Sequence, residues 1–226
     1  MFGFKALLEA WRGQGLISKM FAEFEEMLVQ TGKMFEISCQ SCSGTIDVAA
    51  AREELRSRDK QVNKLQRSIR RQVVEHLIAK PGTDVPACLV LMSIVKDAER
   101  LGDYARALFD TAQLCCPVVK DGKYATALRD IEADVSRMMA DARKALTESD
   151  EALANDVMSR ESAIKAKCRQ LFADLTADNL SGSESAALAL MSWHFRRLTA
   201  HTANIASSVV NPIEWLDYKS KKAVTD

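Results

Sequence analysis

The sequence predicts an all-α protein built from two tandem three-helix bundles, and three observations carry that expectation. The chain is rich in Ala, Leu, Glu, Arg and Met while aromatics make up only 6% of it, a composition that favours helices over sheets. The 9 Gly and 4 Pro fall mostly in short clusters that leave long uninterrupted segments between them. Apolar residues recur in alternating steps of three and four, and the stripe returns in the second half of the chain.

An apolar opening helix within residues 1–15 carries Phe2, Phe4, Leu7, Leu8 and Trp11 and ends at Gly13 and Gly15. The first long helix spans residues 16–42 and closes at Ser43-Gly44-Thr45. A second runs over 46–80, stopped by Pro81-Gly82-Thr83, and a third over 84–116, with Asp84 as its cap and Pro117 as its stop. After Lys120-Asp121-Gly122, a fourth helix covers 123–147 and a fifth 150–176. Asn179-Leu180-Ser181-Gly182 precedes a sixth over 183–210, and Asn211-Pro212 kinks or restarts the chain there. The expected units are therefore a first repeat over 16–117, a second over 121–218 and a polar tail over 219–226.

The third helix carries Leu91, Ile94, Ala98, Leu101, Ala105, Leu108 and Ala112 on one stripe. At a constant offset of 97 these become Leu188, Met191, Phe195, Leu198, Thr202, Ile205 and Val209 of the sixth. Leu55, Val62, Ile69 and Val73 of the second helix map at an offset of 102 onto Val157, Ile164, Leu171 and Leu175 of the fifth. The same offset brings Arg58 onto Arg160 and Asp59 onto Glu161. The first helix pairs with the fourth by order alone.

With 226 residues, 47% of them hydrophobic, the chain can bury a sizeable core, which excludes collagenous, low-complexity and largely disordered classes. Lys+Arg and Asp+Glu are both 31, a balance that argues against nucleic acid as a partner. No run of about 18 uncharged apolar residues exists to span a membrane. Glu9 and Arg12 interrupt the opening apolar run too early for a secretory signal, so a cytoplasmic protein with reduced thiols is expected. Of the six cysteines, Cys39 and Cys42 alone have metal-ligand spacing; with no second such pair, they read as packing residues.

Glu99 and Asp103 lie one turn apart on the third helix, and Asp59 and Asn63 have the same spacing on the second. If these helices pack side by side, four oxygen-bearing groups converge in a manner suited to hard or borderline cations. The plainer alternative is a solvated face whose acids pair with Arg100 or Arg106. His76, His194 and His201 lack the Glu-x-x-His spacing of di-iron bundles, and no phosphate loop or nucleophile motif is present, so no enzyme is expected.

The run Asp97-Ala98-Glu99-Arg100-Leu101-Gly102-Asp103-Tyr104-Ala105 resembles the signature segment of the PhoU family of phosphate-system regulators. So does Arg58-Asp59-Lys60-Gln61-Val62-Asn63-Lys64-Leu65, and His201-Thr202-Ala203-Asn204-Ile205-Ala206 resembles the ending of the family's second repeat. The resemblance extends over residues 16–218. It implies a cytoplasmic adaptor that restrains phosphate uptake and the phosphate-starvation response by contact with a phosphate transporter, ATP-driven or sodium-coupled, and a sensor histidine kinase. It further implies peripheral membrane contact through those partners. Some family members bind iron, zinc, magnesium or manganese through acidic pairs on each repeat. These pairs map onto Asp59/Asn63 and Glu99/Asp103 in the first repeat, and onto Glu161/Lys165 and Arg196/Ala200 in the second. The first set could hold one divalent or iron ion. The second should be closed, because Lys165 and Arg196 repel a cation and Ala200 offers no ligand. A metal-binding helical protein is thus the alternative to an adaptor. The opening helix and the Trp215, Leu216, Tyr218 segment could dock partners or an acidic membrane surface; their plainer roles are capping the bundle or packing a homodimer.

Overall fold

A computed structural model of the chain describes residues 15–42, 44–82, 84–114 and 122–216. Six long helices account for almost all of them: α1 (Leu16–Cys42), α2 (Val48–Ala79), α3 (Val85–Leu114), α4 (Ala125–Glu148), α5 (Glu151–Thr176) and α6 (Gly182–Val210). A 3-10 turn at Ile213–Trp215 follows. The opening helix, Tyr218 and the polar tail fall outside the described residues.

Local chemistry sets the helix ends. Asp47 caps α2 by accepting the Ala50 N–H at 2.7 Å, and Asp150 caps α5 by accepting that of Leu153 at 2.9 Å. Ser181 and Glu184 form a reciprocal capping box at the start of α6. α4 begins at Ala125, two residues later than the sequence suggests, because Lys123 and Tyr124 are used elsewhere: both bind the carboxylate of Asp178 beyond α5. At the expected cap of α3, the Asp84 carbonyl does accept the Cys88 N–H at 3.0 Å, while its carboxylate faces His76 Nε2 at 3.1 Å.

Helices α1, α2 and α3 pack together as one bundle and α4, α5 and α6 as another. α3 and α6 pack against each other between the bundles, and α1 also meets α4. All fourteen positions of the α3 and α6 stripes are buried, as are the eight of α2 and α5. The packing adds the register that sequence order left open. Met20, Phe24, Met27, Thr31, Met34 and Phe35 of α1 are buried, and so are Ile131, Val135, Met138, Ala142, Ala145 and Leu146, each 111 positions later in α4. Three pairs of helices therefore repeat, each with its own offset.

The repeat extends to surface polar contacts. Arg58 donates to Glu54 one turn earlier (2.5 Å) and across to Gln30 of α1 (2.6 Å). Arg160, its counterpart, donates to Asp156 one turn earlier and across to Asp141 of α4 (2.8 Å). Each arginine thus ties the middle helix of its bundle to the first.

Candidate functional site

The α2–α3 face of the first repeat carries the four residues singled out from the sequence. They project where they do because the stripe residues Val62, Ala98 and Leu101 point inward, which turns Asp59, Asn63, Glu99 and Asp103 to the half-buried flank. Asp59 Oδ2 accepts from Asn63 Nδ2 at 3.2 Å and from Arg106 Nη1 at 3.4 Å. Asp103 Oδ2 accepts from Arg100 Nη1 at 2.8 Å, and Arg100 Nε lies 3.6 Å from Glu99. Burial pushes the Glu99 carboxyl above the usual range, the charges of Asp103 and Asp59 add to the push, and Arg100 and Arg70 oppose it. The structure thus gathers the acids on one face and sets cations among them. Among the described residues, no group of three or more His, Cys, Asp or Glu side chains is placed to hold a metal ion.

The equivalent α5–α6 face is different chemistry on the same backbone. Glu161, buried, forms an ion pair with Lys165. The Arg196 guanidinium stands over the Trp193 ring, 5.7 Å from its centroid, and Ala200 is half-buried. Beside them the two helices leave a cleft of about 430 Å³, floored by Cys168 and Ser192 and walled by Phe172, Trp193, Arg169 and Arg196. Trp193 and Phe172 were not among the expected site residues. The signal was present: both lie off the apolar stripes of their helices, so neither was needed for the core.

A second feature missed from the sequence is the polar seam between α3 and α6. Asp97, fully buried, accepts from His201 Nδ1 at 2.7 Å and from Asn204 Nδ2 at 3.2 Å. Arg197 Nη2 lies 3.1 Å from His201 Nε2, and a guanidinium can only donate. The carboxylate oxygen of Asp97 is the acceptor on the Nδ1 side of the ring. Tyr104 stacks on His201 with ring centroids 5.6 Å apart, and its hydroxyl accepts from Arg197 Nε at 3.1 Å. His194 also packs against Tyr104, tilted with centroids 6.2 Å apart, and burial pushes its pKa down. The contacts obey the repeat: Asp97 and His194 are equivalent positions, as are Tyr104 and His201, so the pair Asp97–His201 mirrors the pair His194–Tyr104.

The comparisons with known proteins agree with this architecture. The PhoU domain model matches the chain twice, at residues 24–111 and 128–209. The chain belongs to the PhoU family. PhoU from Pseudomonas aeruginosa superposes with a TM-score of 0.77 at 21% identity, over 86% of this chain and 95% of that one. The phosphate transport system regulatory protein PhoU from Streptococcus pneumoniae gives a TM-score of 0.71 at 16% identity, over the same 86% and 95%. A search of curated proteins finds no match. The two PhoU domains fall on the two structural bundles, the first on α1–α3 and the second on α4–α6. Among the described residues no helix is long and apolar enough to cross a membrane.

Proposed function

We propose that the chain is a non-catalytic regulatory adaptor of phosphate uptake and phosphate-starvation signalling, acting negatively through contact with a phosphate transporter and a sensor histidine kinase. The observation that supports this reading is the double match to the PhoU domain in register with the two bundles. Rigid bundles joined by a buried polar seam suit such a role, since they hold two unlike surfaces at a fixed separation. A partner that alternates between two states is biased when the adaptor binds one state more tightly than the other. Location in the cytoplasm, a homodimer and contact with the membrane through the partners belong to the same reading.

The test is alkaline phosphatase activity in phosphate-rich medium, measured in the source organism with the gene deleted and then restored. Activity that rises on deletion and falls on restoration supports the adaptor; activity that never changes refutes it.

A second reading, one divalent or iron ion held by Asp59, Asn63, Glu99 and Asp103, draws support from the gathering of these oxygen-bearing groups on one half-buried face. Arg100 and Arg106 share that face, so an ion would have to displace them from the carboxylates. In the second repeat Lys165 already satisfies Glu161, and the residues present do not fit a metal. Metal analysis of the purified chain and its Glu99→Gln variant decides: equal content in both rejects the first-repeat site.

A further inference from the structure

We propose that the α5–α6 cleft of the second repeat is a docking site for a short segment of a partner protein that presents an apolar anchor side chain flanked by carboxylates. The proposal rests on reading the chain as an adaptor and names the surface and the chemistry it recognises. Three observations carry it.

The first is exposure without a structural reason. Trp193 is 49% exposed and Phe172 54%, on different helices, yet they face one concavity. Large aromatic side chains left in water around a hollow mark an interaction surface, since a stable core does not require them. The second is shape. A hollow of about 430 Å³ receives a side chain and its neighbours; a bilayer surface would call for a protruding edge. The third is charge. The lining holds two guanidinium groups, Arg169 and Arg196, and no carboxylate. Neither arginine is in an ion pair with any described residue. Arg197, held by Tyr104 and His201, backs the Trp193 ring with its guanidinium 6.0 Å from the centroid but does not line the cleft. A Trp ring set against two guanidinium planes is a rigid anchor for an apolar group, with donors placed at its edge for carboxylates.

The first repeat supplies the contrast. At the same register, Arg169, Phe172, Trp193 and Arg196 are replaced by Arg67, Arg70, Lys96 and Glu99. Among the described residues that face has no exposed aromatic and sets the carboxylates of Glu99, Asp103 and Asp59 among its cations, so the aromatic, carboxylate-free lining belongs to the second repeat.

The experiment selects a phage-displayed library of random dodecapeptides on the immobilised full chain. Binding of the enriched peptides to soluble protein is then measured by fluorescence anisotropy. Enriched sequences should place Asp or Glu beside Leu, Phe, Met or Trp. Trp193→Ala and Arg196→Glu should each weaken them at least tenfold, while the exposed Arg137→Ala control leaves them unchanged. Both test residues are exposed, and circular dichroism of each variant verifies the fold. The proposal is overturned if peptides lack the acidic–apolar pattern, or if Trp193→Ala binds them as tightly as the parent. It is also overturned if the cleft instead governs binding to vesicles of phosphatidylglycerol and phosphatidylethanolamine, or self-association by sedimentation. In cells, restoration by the parent chain tests the adaptor reading. Full restoration by Trp193→Ala/Phe172→Ala, where the parent also restores, overturns the cleft and leaves that reading standing.

Discussion

The two repeats share a backbone and a core but not a surface, and the contrast locates where this protein has specialised. Behind the α2–α3 and α5–α6 faces, the stripe positions are buried in both bundles, and an arginine clasp ties the middle helix to the first in each. In front, one face sets Glu99, Asp103 and Asp59 among Arg100 and Arg106, while the other carries Trp193, Phe172 and two arginines in no ion pair with a described residue. Packing density constrains interior positions tightly and leaves the solvent side at liberty to diverge. The shared interior therefore reports the fold, and the unlike exteriors report the job.

Among the interior positions whose equivalents differ in size, one yields the largest expected effect. Ala98 of α3 corresponds to Phe195 of α6, whose ring packs edge-on against Phe35 of α1 at 6.2 Å. The second repeat thus sends a ring into the first, and no bulky group returns from Ala98. Phe195→Ala should lower unfolding stability by about 3–5 kcal/mol, read from the urea midpoint at unchanged slope. Equal costs for Phe195→Ala and for Phe195→Leu would deny that the ring fills the space between the bundles.

The seam comes next. Asp97→Ala removes the acceptor of both His201 Nδ1 and Asn204 Nδ2 in a site without solvent. Stability should fall by about 2–3 kcal/mol, because the buried His201 and the half-buried Asn204 lose their acceptor. Asp97→Asn should recover part of that loss, since the amide oxygen still accepts from His201. If the two variants are equally stable, the hydrogen bonds contribute nothing and the seam is held by packing alone.

These two sites also show what could and could not be read from the chain. The six helices, their stripes and two of the three offsets were legible because a 3.6-residue period is a local signal that needs no knowledge of neighbours. The α1–α4 offset was not: Phe24 and Val135, or Met34 and Ala145, differ too much in size for their equivalence to show before both are seen buried. Asp97 could be noticed beside Glu99 in sequence, but its bond to His201 crosses 104 positions and depends on how α3 and α6 are rotated. The acids of the first repeat were legible by spacing. The arginines that accompany Glu99 and Asp103 were foreseen only as the plainer alternative. The cleft was hidden because Trp193 and Phe172 lie on different helices and become one feature only after folding.

The acidic face and its altered counterpart should respond in opposite directions. In the second repeat, Lys165→Met removes the ion pair from the buried Glu161 and should cost about 1–3 kcal/mol at neutral pH. In the first, Glu99 is a carboxyl whose folded-state pKa is raised, chiefly by burial. The folded chain holds that proton more tightly than the unfolded one, so this group lowers stability progressively as pH rises from the unfolded value through the folded one. Glu99→Gln should therefore stabilise the protein at pH 7 and lose that advantage near pH 4, about the unfolded carboxyl value. Urea midpoints of parent and variant at the two pH values give the comparison; an advantage that grows on acidification would reverse the sign and reject the burial argument.

The smallest effect is the most direct test of the repeat itself. Arg58 and Arg160 make the same kind of clasp from equivalent positions, each to a carboxylate one turn earlier and to a polar group on the first helix of its own bundle. Both side chains are about a quarter exposed, 21% and 27%, so solvent screens each ion pair and truncation to Ala should cost only about 0.5–1 kcal/mol. The informative quantity is the double variant. The two clasps lie in separate bundles and share no partner, so their costs should add within about 0.5 kcal/mol. A double variant markedly less stable than the sum would mean that each clasp compensates for loss of the other. The bundles would then unfold as one coupled unit in which the α3–α6 seam carries strain between them, and surface changes on one repeat would be felt on the other. Simple additivity would mean that each repeat can alter its face without disturbing its neighbour, which is the condition under which two unlike surfaces can arise on one repeated fold.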